Sequence, residues 1–400
     1  MGRLQLNNDD LISPPLGFRI AREVPVHERM QLWKRIRETP SPTLVGIWNN
    51  QNQPQSNRSY PTGRISISPV TKISSARRQH EHLQERRPPW CKSLLVTSPT
   101  EFQMLTLPQK GYLGSAILKE LVEGGFNVTV LGRSESTKDG LPDGVGFKVV
   151  DYGSIDSLTP ALQGQDVVVS TVSKAGLLSQ PVAIDACIKA GVKRYIPSDW
   201  GSFTTDPKAH SDLATVLGPM FNAQKYVIEK ARAGEIEYTI FSVGGFIDLF
   251  TRIPVAFDFA NKSITMYDDG VHPFSITSIA SIGKAVVGAL KNPDATKNRN
   301  LKIHELLVSQ AQLLALAKKL SPPGTQWKET KLDGKTEWDS ALKAVLEDPY
   351  NEQKILEVIK TSLFSGRYES AYGKVDNELV GVPLLTEKDL EEKMAASFSS

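Results

Sequence analysis

Three short stretches of this 400-residue chain combine residue types and spacings that could do chemistry. The first is "KGYLGS", where Gly111 and Gly114 flank Tyr112 and Leu113 at the head of the helical run "SAILKELVEGG". Glycines at a strand-to-helix turn let the backbone approach a phosphate, and the helix N-terminus offers unpaired N–H groups and the positive end of its dipole. A dinucleotide loop normally carries one more glycine three residues earlier, yet position 108 is Pro, which fixes φ and removes a donor. The second stretch is Arg133-Ser134, which ends "VTVLG" 22 residues past Gly111. An acidic side chain at that place takes the ribose hydroxyls of NAD, whereas an arginine suits the 2′-phosphate of NADP. The third is "FNAQKYVIEK", which holds two pairs at a spacing of four, Phe221 with Lys225 and Tyr226 with Lys230. That spacing stacks two side chains on one helix face, and either a phenol–ammonium pair or a lysine alone can act as an acid or base. The letters leave both registers open.

The elements that must position these residues follow from the apolar pattern. After Gly111, "NVTVLGR", "FKVVDY", "DVVVSTV", "KRYIPSDW" and "EYTIFSVGG" read as strands, separated by helices at "SAILKELVEGG", "SLTPALQG", "PVAIDACIKAG" and around 220–233. The strand runs are apolar throughout and do not alternate, as expected of a parallel sheet covered on both faces. Strand and helix alternating in this way predicts an α/β fold of the Rossmann type, a doubly wound parallel sheet with right-handed crossovers. Ligands of such sheets lie outside the carboxyl ends of the strands, where "PSDWG" would place Ser198, Asp199 and Trp200. Beyond Phe246 the pattern loosens, which predicts a smaller C-terminal lobe. The expected organisation is a leader at 1–92, a dinucleotide-binding domain at 103–250 and a substrate-binding lobe at 251–395.

Composition bounds the rest. With 40% apolar residues the chain can bury a sizeable core, and no run of about 18 apolar residues is present to span a membrane. No secretory signal is evident at "MGRLQLNNDD", so a cytoplasmic location is expected. Cys91 and Cys187 are far apart and suggest neither a disulfide framework nor a metal site. His210 and His272 are lone histidines in polar surroundings, and Asp268-Asp269-Gly270 reads as a turn. The net charge of +3 conceals an asymmetry: residues 1–100 carry 15 Lys and Arg against 7 Asp and Glu, leaving the remainder acidic. The leader is rich in Pro, Ser, Asn, Gln and Arg without period, so it is expected not to fold on its own, and its scattered arginines match no nucleic-acid module. A mitochondrial presequence is disfavoured by Asp9 and Asp10. The first strand is awkward to place. "SLLVTS" ends at Ser98, 13 residues before Gly111, so "QMLTL" is expected to serve, with Pro108 in the turn. The awkwardness suggests that the residues before Lys110 come from a different exon or a misread gene start, and that with Pro108 present coenzyme binding is weak.

The runs "GYLGSAILKELVEGGFNVTVLGRS", "QGQDVVVSTV", "AIDACIKAGVKRYIPSDWGSF" and "FNAQKYVIEKARAGEIEYTIFSVGGF" resemble the NmrA-like and isoflavone-reductase-like family of atypical short-chain dehydrogenases/reductases. The likeness runs from Gly111 to about Leu290, continues more weakly to about residue 390, and omits the leader. It implies an NADP(H)-binding Rossmann domain, a small substrate lobe and reduction of a small, aromatic or phenylpropanoid-type molecule. It also implies contacts to the coenzyme from Thr171 and Val172, with Arg133 and Ser134 at the adenosine phosphate. In that family a lysine works without the tyrosine. The frame of lysine, then Ile228-Glu229, then Tyr238-Thr239 selects Lys225 as general acid or base, although the connection to the strand is one residue longer here. A rival within the same fold is a regulator that senses the dinucleotide and binds a protein partner without turnover.

Overall fold

The computed structural model describes residues 94–97, 111–250, 255, 257–258 and 261–398; the leader, Cys91, the 103–107 run and Pro108 lie outside them. Seven strands form the main sheet: β1 (Leu94–Thr97), β2 (Val128–Gly132), β3 (Gly146–Val149), β4 (Val167–Val169), β5 (Arg194–Ile196), β6 (Glu237–Ser242) and a late strand, Arg299–Lys302. Every pairing is parallel, and the order is late strand-β6-β5-β4-β1-β2-β3. Parallel neighbours require crossovers, which are supplied by α1 (Tyr112–Glu123), α2 (Ile155–Leu162), α3 (Gln180–Ala190) and α4 (Ala214–Arg232). The strands between β2 and β6 are the β-branched runs of the sequence, and Val167, Val168 and Val169 are fully buried because helices cover both faces.

The sheet corrects two expectations. Its central strand is Leu94–Thr97, part of "SLLVTS", and not the 103–107 run. Leu94, Leu95 and Val96 pair with Val128, Thr129 and Val130 on one side and with Val167, Val168 and Val169 on the other. A strand paired on both sides sits in the middle of the sheet, and the apolar run "LLV" suits that place. The entropy of loop closure grows only slowly with length, so the 14 residues between β1 and α1 are a small penalty against two strand interfaces.

The second correction concerns the boundary at 250. Helix α5 (Ile279–Lys291) lies against α1, where the Cβ that Gly283 lacks would sit 2.7 Å from Glu120 Cγ and 3.1 Å from the Ala116 carbonyl. Its Ile282, Val286 and Leu290 share a core with Ile117, Leu121, Val130 and Val169. The late strand Arg299–Lys302 then extends the main sheet beside β6. Residues 279–302 therefore belong to the coenzyme-binding layer, and the 251–395 span divides between two layers.

What remains forms the second layer. Gly245–Phe246, Phe274–Thr277 and Leu306–Val308 make a three-stranded sheet, and Ser263–Tyr267 pairs in parallel with Lys328–Leu332. Around them Phe250, Phe274 and Phe364 pack ring against ring at centroid separations of 5.0 to 6.4 Å, with Tyr267, Trp338 and Tyr368 in the same cluster. Each such ring buries enough apolar area to contribute about 1.5–3 kcal/mol. Among the described residues no helix is long and apolar enough to cross a membrane.

Candidate coenzyme site and its lysine

Register brings the expected coenzyme residues to one edge. β1 lies between β2 and β4, with Thr97 opposite Leu131 and Val96 opposite Val169. Arg133 leaves β2 two residues past Leu131, and Thr171 leaves β4 two residues past Val169, so both emerge where β1 ends. This is the point at which the chain order reverses, the place where such sheets bind ligands. Gly111 precedes the first turn of α1 with φ 17° and ψ 90° and has no side chain with which to cap it. No acidic residue stands in that turn, and the positive end of the helix dipole suits an anion. Arg133 is exposed and has no hydrogen-bond or ion-pair partner among the described residues. Ser134 shares a 2.8 Å hydrogen bond with Ser136. Thr171 and Val172 are buried. These residues fit an anionic dinucleotide: a helix N-terminus for its pyrophosphate and a guanidinium with no partner among the described residues for a 2′-phosphate.

The segment after β5 is fastened to the segment after β4. The Ser198 hydroxyl donates to the Val172 carbonyl at 2.7 Å, and the Trp200 indole N–H donates to the Ser170 carbonyl at 3.2 Å. Gln180 of α3 accepts from the Ser198 amide at 2.7 Å. Trp200 also stacks on Phe241 at 5.5 Å, so it is a core residue that holds a loop carbonyl. Between them Asp199 is 1% exposed. Its Oδ2 accepts from Gln224 of α4, and its Oδ1 has no partner among the described residues. Burial pushes the Asp199 carboxyl up to about 6, against the lowering influence of Thr204, Gln224 and the Gly201 amide.

Helix α4 separates the two lysine registers. Leu217, Phe221 and Gln224 form its buried stripe. Phe221, in the position one turn before Lys225, stacks on His210 at 4.1 Å. Lys225 is exposed and makes no hydrogen bond or ion pair with any described residue. Tyr226 faces elsewhere: its hydroxyl donates to Asp185 of α3 at 2.6 Å, and burial followed by that carboxylate pushes the phenol up to about 12. Lys230 pairs with Glu235 at 3.2 Å and lies 5.6 Å above the Tyr226 ring.

Other titratable residues are occupied. His210 Nε2 lies 2.7 Å from the Thr204 carbonyl, and His272 Nε2 lies 2.9 Å from Asp268, whose other oxygen accepts from the Gly334 amide at 2.7 Å. The Asp268–Gly270 segment is a turn with positive φ at all three residues. Cys187 is buried, which raises its thiol pKa. Among the described residues no group of three His, Cys, Asp or Glu could hold a metal. Sequence reasoning did not find Gln180 or Gln224. The only available signal for Gln224 was a polar letter on the 217/221/224 stripe of an otherwise apolar helix face.

Comparison with known proteins agrees with this geometry. Residues 110–293 match a family of NAD(P)H-binding domains. The oxidoreductase aprR of Aspergillus flavus is 33% identical over 222 residues, covering 54% of this chain and 72% of aprR. The bifunctional pinoresinol-lariciresinol reductase 1 of Linum usitatissimum is 26% identical over 249 residues, 58% of this chain and 78% of the reductase. Among solved structures, an isoflavone reductase superposes with a TM-score of 0.60 at 20% identity, over 76% of this chain and 99% of that one; that likeness is one of fold.

Proposed function

The chain belongs to the NAD(P)H-binding family and is an NADP(H)-dependent oxidoreductase, and from that premise we propose that it reduces a small aromatic molecule with Lys225 as general acid. NADPH, when bound, supplies the hydride. The chain's own residues do the rest. The first turn of α1, with Gly111, Tyr112, Leu113 and Gly114, would hold the pyrophosphate; Arg133 and Ser134 would take the adenosine phosphate; Thr171 and Val172 would border the coenzyme through their backbone. The Lys225 ammonium gives its proton to the substrate oxygen as negative charge develops there, and solvent reprotonates the amine. The observation that carries this reading is the contrast within α4. Tyr226 and Lys230 are bound to Asp185 and Glu235, whereas Lys225, one residue beyond the buried Gln224, is unpaired among the described residues. The aromatic substrate class is supported by the pinoresinol-lariciresinol reductase named above.

The test is calorimetry with NADPH and NADH, followed by NADPH consumption on a panel of aromatic enones, quinones and benzylic ethers. Expected are preference for NADPH and turnover that falls by about 10²–10⁴-fold in Lys225→Ala with NADPH affinity intact. Tight NADPH binding with no lysine-dependent turnover on any substrate would instead favour a dinucleotide-sensing regulator.

A further inference from the structure

Burying the Asp199 carboxyl is expensive. A carboxyl group at 1% exposure costs stability that an apolar residue of similar volume would not, even with the Thr204 hydroxyl and the Gly201 amide beside it. What Asp199 does have is a defined partner. The Gln224 amide nitrogen donates one hydrogen to Asp199 Oδ2 and the other to the Thr204 carbonyl at 3.0 Å. Both partners are acceptors, so the amide can sit only one way round. His210 binds the same Thr204 carbonyl and stacks on Phe221, one turn before Lys225. The roll of α4 about its axis is thereby fixed at two successive turns. Lys225 follows Gln224 by one residue, so a set roll for Gln224 sets the direction of Lys225 about 100° further round the helix.

The same short segment also holds the coenzyme side. Ser198 and Trp200 bind the carbonyls of Val172 and Ser170. Residues 198–200 thus grip the loop after β4 with two side chains and the lysine-bearing helix with the one between them. We propose that Asp199 and Gln224 are positioning residues that fix the direction of Lys225 relative to the coenzyme loop. The inference rests on the assignment of Lys225 given above and adds the device that orients it.

The test reads Lys225 directly. The full-length protein is labelled with an acetyl N-hydroxysuccinimide ester with and without saturating NADPH, and the extent of acetylation at Lys225 is followed by peptide mass spectrometry. In the wild type NADPH is expected to slow Lys225 labelling roughly fivefold or more, as the amine becomes covered by the coenzyme. In Gln224→Leu, which fills the space but cannot donate, the protection is expected to fall below about twofold while the NADPH dissociation constant stays within about twofold. Asp199→Asn keeps an oxygen that accepts from Gln224 and is expected to retain the protection. Unchanged affinity shows that each variant is folded. Protection in Gln224→Leu equal to the wild type would overturn the inference while leaving the role of Lys225 standing. Absence of protection in the wild type, with NADPH bound, would overturn the assignment of Lys225 and the inference with it.

Discussion

The Ser198 hydroxyl donates to the Val172 carbonyl at 2.7 Å, with both residues buried, so the exit of β5 holds the exit of β4 in place. Ser198→Ala leaves that carbonyl without its partner, at a cost of about 1–3 kcal/mol. Thermal melts should show a lower midpoint, and the increment that NADPH adds should shrink if the displaced loop borders the coenzyme as proposed. An unchanged increment would mean that Val172 lies away from it.

Arg133 projects from the end of β2 with no anionic partner among the described residues, so its guanidinium is available to a phosphate. Losing a charge-assisted pair of hydrogen bonds weakens binding by about 10- to 100-fold. Calorimetry on Arg133→Ala should therefore show weaker NADPH binding with NADH affinity unaltered. Equal losses for both coenzymes would place the arginine elsewhere on the dinucleotide.

The Tyr226 hydroxyl is committed to Asp185 at 2.6 Å. Tyr226→Phe should lose about 1 kcal/mol of stability, the worth of one such bond, with turnover within about twofold of wild type. A collapse of turnover at unchanged stability would restore the Tyr226–Lys230 register.

Asp199 gives a pH dependence of stability whose sign follows from burial. Its folded-state pKa is raised to about 6 by burial, with His210 as the titratable group that acts on it. A raised pKa means that its contribution is fully present below the ordinary carboxylate range and is lost as pH rises through about 6. Asp199→Asn cannot ionise. Between pH 4 and pH 7.5 the variant should gain on the wild type by about 2 kcal/mol, measured by denaturant melts across that window. Parallel curves for the two proteins would show that the carboxyl ionises normally.

Much of this architecture could be read along the chain because it depends on local pattern. Val128–Gly132, Val167–Val169 and Glu237–Ser242 are apolar runs flanked by turn residues, and their β-branched side chains suit a sheet covered on both faces. Gly111, Gly114 and Arg133 could be proposed because a loop and a strand end stand at a set distance in any βαβ unit. The first strand could not be settled in this way. "SLLVTS" and "QMLTL" are both apolar and short, and the choice depends on pairing with Val128–Leu131 and Val167–Val169, tens of residues away.

The same limit applies to the late strand and to the lysine. "RNLK" at 299–302 carries three polar letters, yet it is a strand because β6 presents a free edge and Arg194 binds Glu237 at 2.5 Å and the Pro293 carbonyl at 2.9 Å, holding the preceding turn. Residue types and spacing along the chain determined the α/β class and pointed to the proposed coenzyme loop and arginine, since each depends on neighbours within one supersecondary unit. Only the tertiary structure decided which strand is central, where the second layer begins, and that Asp199 meets Gln224. Those are contacts between segments distant in sequence, created when helices and strands pack, and no period or spacing records them.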